Sequence, residues 1–233
     1  MIVKHMKQME SVMKQYKTED LGKIFEMAIC LLYNTPYDGN YKYNMDEAEK
    51  IKERIIKLKD VFPGEVKHIA KNGSKYDFVT ADGLYLSAKT TKRDGKVCPQ
   101  VIGQPSKKKF CQYFGAGDLD VPQIKEYIVE NIAKLLDAYT GHTFECPMIY
   151  YNKAKNELLF VKLKEQINWT NWTNITFSHI LKNKAWNEST SIKINGIPIG
   201  EFQIHNGRDG VKFRWSFKNM LNVFKDCFDI TSL

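Results

Sequence analysis

The chain has 233 residues, 43% of them apolar and 12% aromatic, with 35 Lys and Arg against 27 Asp and Glu and a formal net charge of +8. That composition excludes a disordered chain, and the length supports a buried core, with one domain over residues 1–233 as the expectation. The basic balance fits a polyanionic partner, because cations displace counterions from phosphates, although many lysine-rich proteins share it.

No run approaches the apolar length of a membrane helix, and MIVKHMKQMESVMKQYK at the N-terminus lacks an export signal, so the expectation is a cytoplasmic protein without a membrane partner. TEDLGKIFEMAICLLY (18–33) predicts a helix capped by Thr18, with Leu21, Ile24, Phe25, Ala28, Ile29 and Leu32 on one face. After the turn-rich NTPYDGNYKY, Asn44 and Glu47 form a capping-box pattern for a second helix over about 45–60, with Ile51, Ile55, Ile56 and Leu58 apolar. Pro63-Gly64 ends it, and VKHIA reads as a strand.

YDFVTADGLYLSAKTTK (76–92) alternates apolar residues on both sides of Asp82-Gly83, which predicts a hairpin with a two-residue turn pairing Ala81 with Leu84. KVCPQVIGQPS (96–106) is irregular, and KKKFCQYFGAGDLD reads as a further connection. Asp120 caps a long helix, VPQIKEYIVENIAKLLDAY, with Pro122 in its first turn and Gly141 just past its end. PMIYYNKAKNELLFVKL is a second hairpin pattern. The tandem sequons of NWTNWTNIT (168–176) read as polar turn and strand residues. SIKINGIPIGEFQIHNGRDGVKFRW holds three short runs separated by Asn195-Gly196 and by NGRDG, and SFKNMLNVFKDCF is an amphipathic helix on Phe217, Met220, Leu221, Phe224 and Phe228. Helices thus precede, interrupt and follow a mainly antiparallel or mixed sheet, an α/β layered fold. The five cysteines, Cys30, Cys98, Cys111, Cys146 and Cys227, contain no CxxC pair, so they read as buried free thiols.

In the predicted register Asp77 lies opposite Ala88 and within reach of Ser87 and Lys89. A carboxylate, a hydroxyl and an ammonium around one space suit phosphodiester hydrolysis. The carboxylate can hold Mg²⁺, with the Ala88 carbonyl completing the shell, and the lysine can hold the attacking water and offset transition-state charge. The alternative is an exposed hairpin with a solvated Lys89 and an Asp77 that caps a turn.

Asp, a hairpin and then Ser87-Ala88-Lys89 on the next strand resembles the PD-(D/E)XK nuclease core of type II restriction endonucleases. Tyr76 stands where that motif has proline, and Ser87 where it has an acid. The resemblance implies a restriction-endonuclease-like core, a central mixed sheet flanked by helices, over about residues 18–140. It also implies a metal-binding glutamate on the preceding helix, matched by Glu26, and catalytic roles for Asp77, Lys89, Ser87 and Glu26, with Asp77, Glu26 and Ala88 on the metal.

LSAKTTK…PQVIGQPS is similar to stretches of such enzymes where the chain leaves the catalytic strand and meets DNA. Gln100 and Gln104, beside Pro and Gly, can reach phosphates or base edges, and Lys107 opens a lysine run that is either a DNA contact or a solvated face. IGEFQIHNGRDGVKFRW (199–215) alternates Phe202, Ile204, Phe213 and Trp215 with Gln203, His205, Lys212 and Arg214 around a turn that includes Asn206 and Arg208. Such a ribbon fits the major groove, and it resembles the C-terminal DNA-reading part, about 146–233, of small restriction enzymes.

The expected function is a Mg²⁺-dependent, sequence-specific double-stranded DNA endonuclease leaving 5′-phosphate ends. A DNA methyltransferase would be its functional partner, and a palindromic site would favour a homodimer. A structure-specific repair or junction nuclease, and a DNA-binding module with a degenerate core, are the alternatives.

Overall fold

Leu21, Ile24, Phe25, Ala28, Ile29 and Leu32 recur at helical spacing, and in the computed structural model they are buried along one face of α1 (Thr18–Tyr33). The structure describes residues 18–39, 44–70, 74–93 and 95–233, so the reading of residues 1–17 and of the Thr18 side chain as a cap lies outside the described residues. α2 (Met45–Arg54) starts where the Asn44 side chain accepts the Glu47 N–H at 3.2 Å. It is shorter than the sequence predicts. The helix ends at Arg54, beyond which Ile55 and Leu58 are buried and Ile56 is 59% exposed. One turn, α3 (Leu58–Val61), follows.

The central sheet has six strands: β1 (Val66–His68), β2 (Phe78–Thr80), β3 (Tyr85–Thr91), β5 (Met148–Asn152), β6 (Glu157–Leu163) and β11 (Phe228–Ser232), in that spatial order. β3 and β5 run parallel and the other neighbours antiparallel, so the sheet is mixed. A parallel pair needs a long crossover. This one carries β4 (Lys96–Val97) and three helices, α4 (Lys107–Phe114), α5 (Val121–Glu130) and α6 (Ile132–Phe144).

Alternation along β3 and β5 sends Leu86, Ala88, Ile149 and Tyr151 into a core with α1 and α2. Met148, Tyr150 and Val161 join a second core with α6, α8 (Phe217–Val223) and a further sheet. That second sheet is antiparallel, in the order β4, β10 (Lys212–Ser216), β9 (Ile197–Gln203), β8 (Ser189–Ile194), β7 (Ile175–Phe177), with α7 (Ser178–Leu181) between β7 and β8. Its buried aromatics meet α6: Tyr139 stacks on Phe213 at 4.2 Å, and Trp169 and Trp215 donate their indole N–H groups to Thr140 and Thr143. Gly200 makes room for this packing, since a Cβ there would stand 2.8 Å from the Phe213 ring. Asn195-Gly196, with φ of 50° and 80°, forms the two-residue turn between paired Ile194 and Ile197.

Three expectations are corrected. Residues 107–114 are a helix rather than a connection, because Ser106 caps the Lys109 N–H, Phe110 and Phe114 are buried one turn apart, and Gly115 ends the helix at φ 65°. The long helix after Asp120 keeps its capping box but breaks at Asn131, and Gly141 lies inside α6 rather than past its end. The C-terminal helix stops at Val223, and Phe228 belongs to β11, which pairs with β6. Among the described residues no helix is long and apolar enough to cross a membrane. All five cysteines are free, and Cys30, Cys111 and Cys146 are buried.

Candidate active site

Phe78 pairs with Leu86 and Val79 with Tyr85, and the Thr80 N–H donates to the Leu84 carbonyl at 2.8 Å. The hairpin loop therefore holds three residues, Ala81, Asp82 and Gly83, and not two. Gly83 takes φ 80°, and Thr80 Oγ1 accepts the Leu84 N–H at 3.0 Å, which stabilises the longer loop. This one-residue slip corrects the expected pairing: it places Asp77 opposite Ser87 and not Ala88.

β2 begins at Phe78, so beside Asp77 the ladder with β3 has ended. The Ser87 N–H points to the other neighbour, donating to the Pro147 carbonyl at 3.0 Å. Alternation then turns the Ala88 N–H and carbonyl toward Asp77. Asp77 Oδ2 accepts the Ala88 N–H at 2.7 Å and the Ser87 hydroxyl at 3.2 Å, and Lys89 Nζ stands 3.6 Å from the same oxygen. The side chains of Asp77 and Lys89 are 15% and 25% exposed, whereas Ser87 is fully buried. Ser87 thus holds the carboxylate and does not reach solvent itself. The Gln100 side-chain amide donates to Ser87 Oγ, which puts Gln100 behind the acid.

Glu26 is not brought into this group. It lies on α1, over the opposite face of the sheet, where its carboxylate meets His68 Nε2 and Lys23 Nζ, each at 3.3 Å. Apolar neighbours made that helix face the buried one, and the imidazole of His68 satisfies the acid there. Among the described residues no three His, Cys, Asp or Glu side chains gather as a metal cluster. The donors at the hairpin are the Asp77 carboxylate and the Ala88 carbonyl, both hard oxygens. That set fits a Mg²⁺ that keeps waters and takes the rest of its shell from a phosphate.

The basic ribbon is joined to the hairpin through β4, which follows β3 in the chain and pairs with β10. Gln203 pairs with Lys212 and Glu201 with Arg214 across β9 and β10, while Phe202, Phe213 and Trp215 are buried beneath. Burial raises the Cys98 thiol, and the positive charges of Lys212, Arg214 and Lys89 oppose that shift. Arg214 and Lys96 both bind Glu201, at 3.0 and 2.7 Å, which fixes the guanidinium on the sheet. His205 pairs with Glu188 at 3.0 Å, and Asn206 and Arg208 are exposed in the turn. Gln104 is exposed beside a cavity of about 340 Å³, and the Lys107 N–H donates to Asp209 at the N-terminus of α4.

The chain resembles a type II restriction enzyme. It is 46% identical over 218 residues, 93% of its length, to the type II restriction enzyme CviAII of Paramecium bursaria Chlorella virus 1. The chain covers 63% of that relative's own length. No family model and no solved structure matches it.

The sequence missed a polar cluster on the rim. Lys75 binds Glu145, and hydrogen bonds from Lys75 and Tyr76 with the Lys75 charge hold the Glu145 carboxyl low against burial, which would raise it. Tyr76 stacks on Tyr85 at 4.0 Å beside Asp77, and Tyr113 lies 2.6 Å from His142 Nε2. Burial first, and then Asp77, push the Cys146 thiol up to about 12. These residues come from four segments, so no spacing in the sequence announces them.

Proposed function

We propose that this chain is a Mg²⁺-dependent, sequence-specific endonuclease of double-stranded DNA, of the type II restriction kind, with a PD-(D/E)XK-like site at Asp77 and Ser87-Ala88-Lys89. The supporting observation is that the acid and the lysine meet, 3.6 Å apart, where the hairpin ladder ends. The identity to CviAII favours the same reading. Mg²⁺ held by Asp77 and the Ala88 carbonyl would neutralise phosphate charge and lower the pKa of a bound water. Ser87 and the Ala88 N–H fix Asp77 through Oδ2, which leaves Oδ1 for a ligand. Lys89 positions the attacking water and offsets charge on the phosphoryl oxygens. Lys212, Arg214 and Gln203 offer donors to phosphates and base edges on the adjoining ribbon. Products with 5′-phosphate and 3′-hydroxyl ends, a homodimer on a palindromic site, a partner methyltransferase and a cytoplasmic location belong to this reading.

A second reading, a DNA-binding module that does not cut, is favoured by Asp77 standing, among the described residues, as the one carboxylate against Ala88 and Lys89. Incubation of plasmid and genomic DNA with the protein and Mg²⁺ separates the two. Discrete fragments support the endonuclease, a smear or cutting confined to branched DNA points to a structure-specific nuclease, and intact DNA that is nonetheless bound supports the module.

A further inference from the structure

The segment between β4 and α4 is tied to both functional surfaces. Toward the ribbon, Cys98 Sγ donates to the Phe213 carbonyl at 3.4 Å, the Phe213 N–H to the Gly103 carbonyl at 2.8 Å, and the Val211 N–H to the Pro105 carbonyl at 3.0 Å. Toward the hairpin, Gln100 donates to Ser87 Oγ and Ser87 to Asp77 Oδ2. Between these ties the Ile102 N–H closes on the Gln100 carbonyl at 2.6 Å, with Val101 at φ 61°. That is a γ-turn of the strained kind, occupied by a β-branched residue. Such a turn persists only where its surroundings over-determine it. Here Gly103 has no space for a Cβ against Pro99 and Cys98, and the turn aims the Gln100 amide back at the catalytic strand.

We propose that Gln100 is a positioning residue for Asp77, acting through Ser87. The role rests on the nuclease reading above. A serine hydroxyl has one proton and two acceptor sites. The Gln100 amide occupies an acceptor site of Oγ, so the single proton is directed to Asp77. Where the related motif carries an acid, this chain carries a neutral pair, Ser87 and Gln100, that orients the one acid it has. Because the same segment is bonded to β10, DNA seated on Lys212 and Arg214 bears on the backbone that sets Gln100.

The test is single-turnover cutting of plasmid DNA in Mg²⁺, with binding of the same DNA in Ca²⁺ and melting curves as controls. Gln100→Ala is expected to slow cutting about tenfold with binding unchanged, the scale of one hydrogen bond serving a charged group. In a Ser87→Ala background the same change is expected to cost less than about a further twofold, because the two residues act in series. Gln100→Glu donates to Ser87 only when protonated, so its rate relative to wild type rises as pH falls toward the ordinary carboxyl range. A merely structural role would leave that ratio flat, and if Gln100→Ala fails to fold, Gln100→Glu decides. An undiminished loss in the Ser87→Ala background, a flat ratio, or a loss of binding that matches the loss of cutting overturns the proposal. Wild type that leaves DNA intact overturns the nuclease reading and this role with it. Wild type that cuts beside an equally fast Gln100→Ala overturns this role alone.

Discussion

Asp77 Oδ2 collects a backbone N–H, a buried hydroxyl and an ammonium, so substitution can separate its structural duty from the catalytic one proposed for it. Asp77→Ala leaves the Ser87 hydroxyl and the Ala88 N–H without their acceptor, a cost of about 1–3 kcal/mol. Asp77→Asn keeps an acceptor oxygen and loses only the charge. Both variants are expected to lose cutting while binding DNA in Ca²⁺, and only the alanine chain should melt measurably lower. Wild-type cutting by Asp77→Asn would remove the carboxylate from the mechanism. Lys89→Ala is expected to slow single-turnover cutting on the order of 10²–10³-fold, the usual scale for losing one donor that stabilises transition-state charge. A wild-type rate would make Lys89 a bystander. At Val101 the prediction has the opposite sign. Its φ of 61° and 65% exposure mean that glycine relieves strain and gives up little packing. Val101→Gly should stabilise the chain by about 1 kcal/mol, or roughly 2–4 °C in melting midpoint. A lower midpoint would show that the valine side chain contributes contacts outweighing its backbone strain.

Among the elements, those with a period or a cap were legible and those defined by distant pairing were not. The apolar face of α1, the Asp120 cap and the Asn195-Gly196 turn stand where the residues placed them. Asp82-Gly83 carries the same turn signal and gives a different loop, because Thr80 Oγ1 captures the Leu84 N–H and moves the register by one residue. Asp77 and Lys89 survive that slip as neighbours, since both lie where β2 stops and β3 continues. Glu26 does not join them, because it meets His68 on the face of the sheet opposite Asp77 and Lys89, and helical periodicity does not say which face of the sheet α1 covers. The second sheet was hidden for a similar reason: β4 is two residues long and finds its partner, β10, more than a hundred residues later. α4 carried cap signals, Ser106 and Gly115, that its lysine run obscured. The ribbon turn also supplies Asp209, which accepts the Lys107 N–H at 3.1 Å at the first turn of α4. Asp209→Ala is therefore expected to cost about 1 kcal/mol and to speed hydrogen exchange at the first-turn amides of α4. Unchanged exchange there would mean that Ser106 alone caps the helix.

Across the whole molecule, Lys75 and Tyr76 before β2, Tyr113 on α4, and His142 and Glu145 at the end of α6 form a polar clamp that ties the residues before Asp77 to the crossover helices. Burial and the Lys75 charge hold His142 below its ordinary 6.5, against the opposing pull of Glu145. Glu145 is held below its ordinary 4.5 by the Lys75 and Tyr76 hydrogen bonds and the Lys75 charge, against burial. Both folded groups release protons more readily than the unfolded chain. The stability they contribute is therefore complete above the ordinary value of each and is lost as pH falls through the lowered one. Two limbs follow: a decline that begins as pH drops past 6.5, when the unfolded chain starts to protonate its histidine, and a second that begins near 4.5. Each is worth less than about 1 kcal/mol, because the side chain of Glu145 is 41% exposed and solvent screens the cluster. His142→Gln is expected to flatten the upper limb of melting midpoint against pH, and Glu145→Gln to flatten the lower one while deepening the upper, because it removes the charge that pulls His142 up. The clamp spans the N-terminal half of the central sheet and the crossover helices, so both variants should also raise the hydrogen-exchange rate at Tyr76 and Asp77. Parallel wild-type and variant curves over both limbs would show that the clamp is a surface feature with no hold on the Asp77 hairpin.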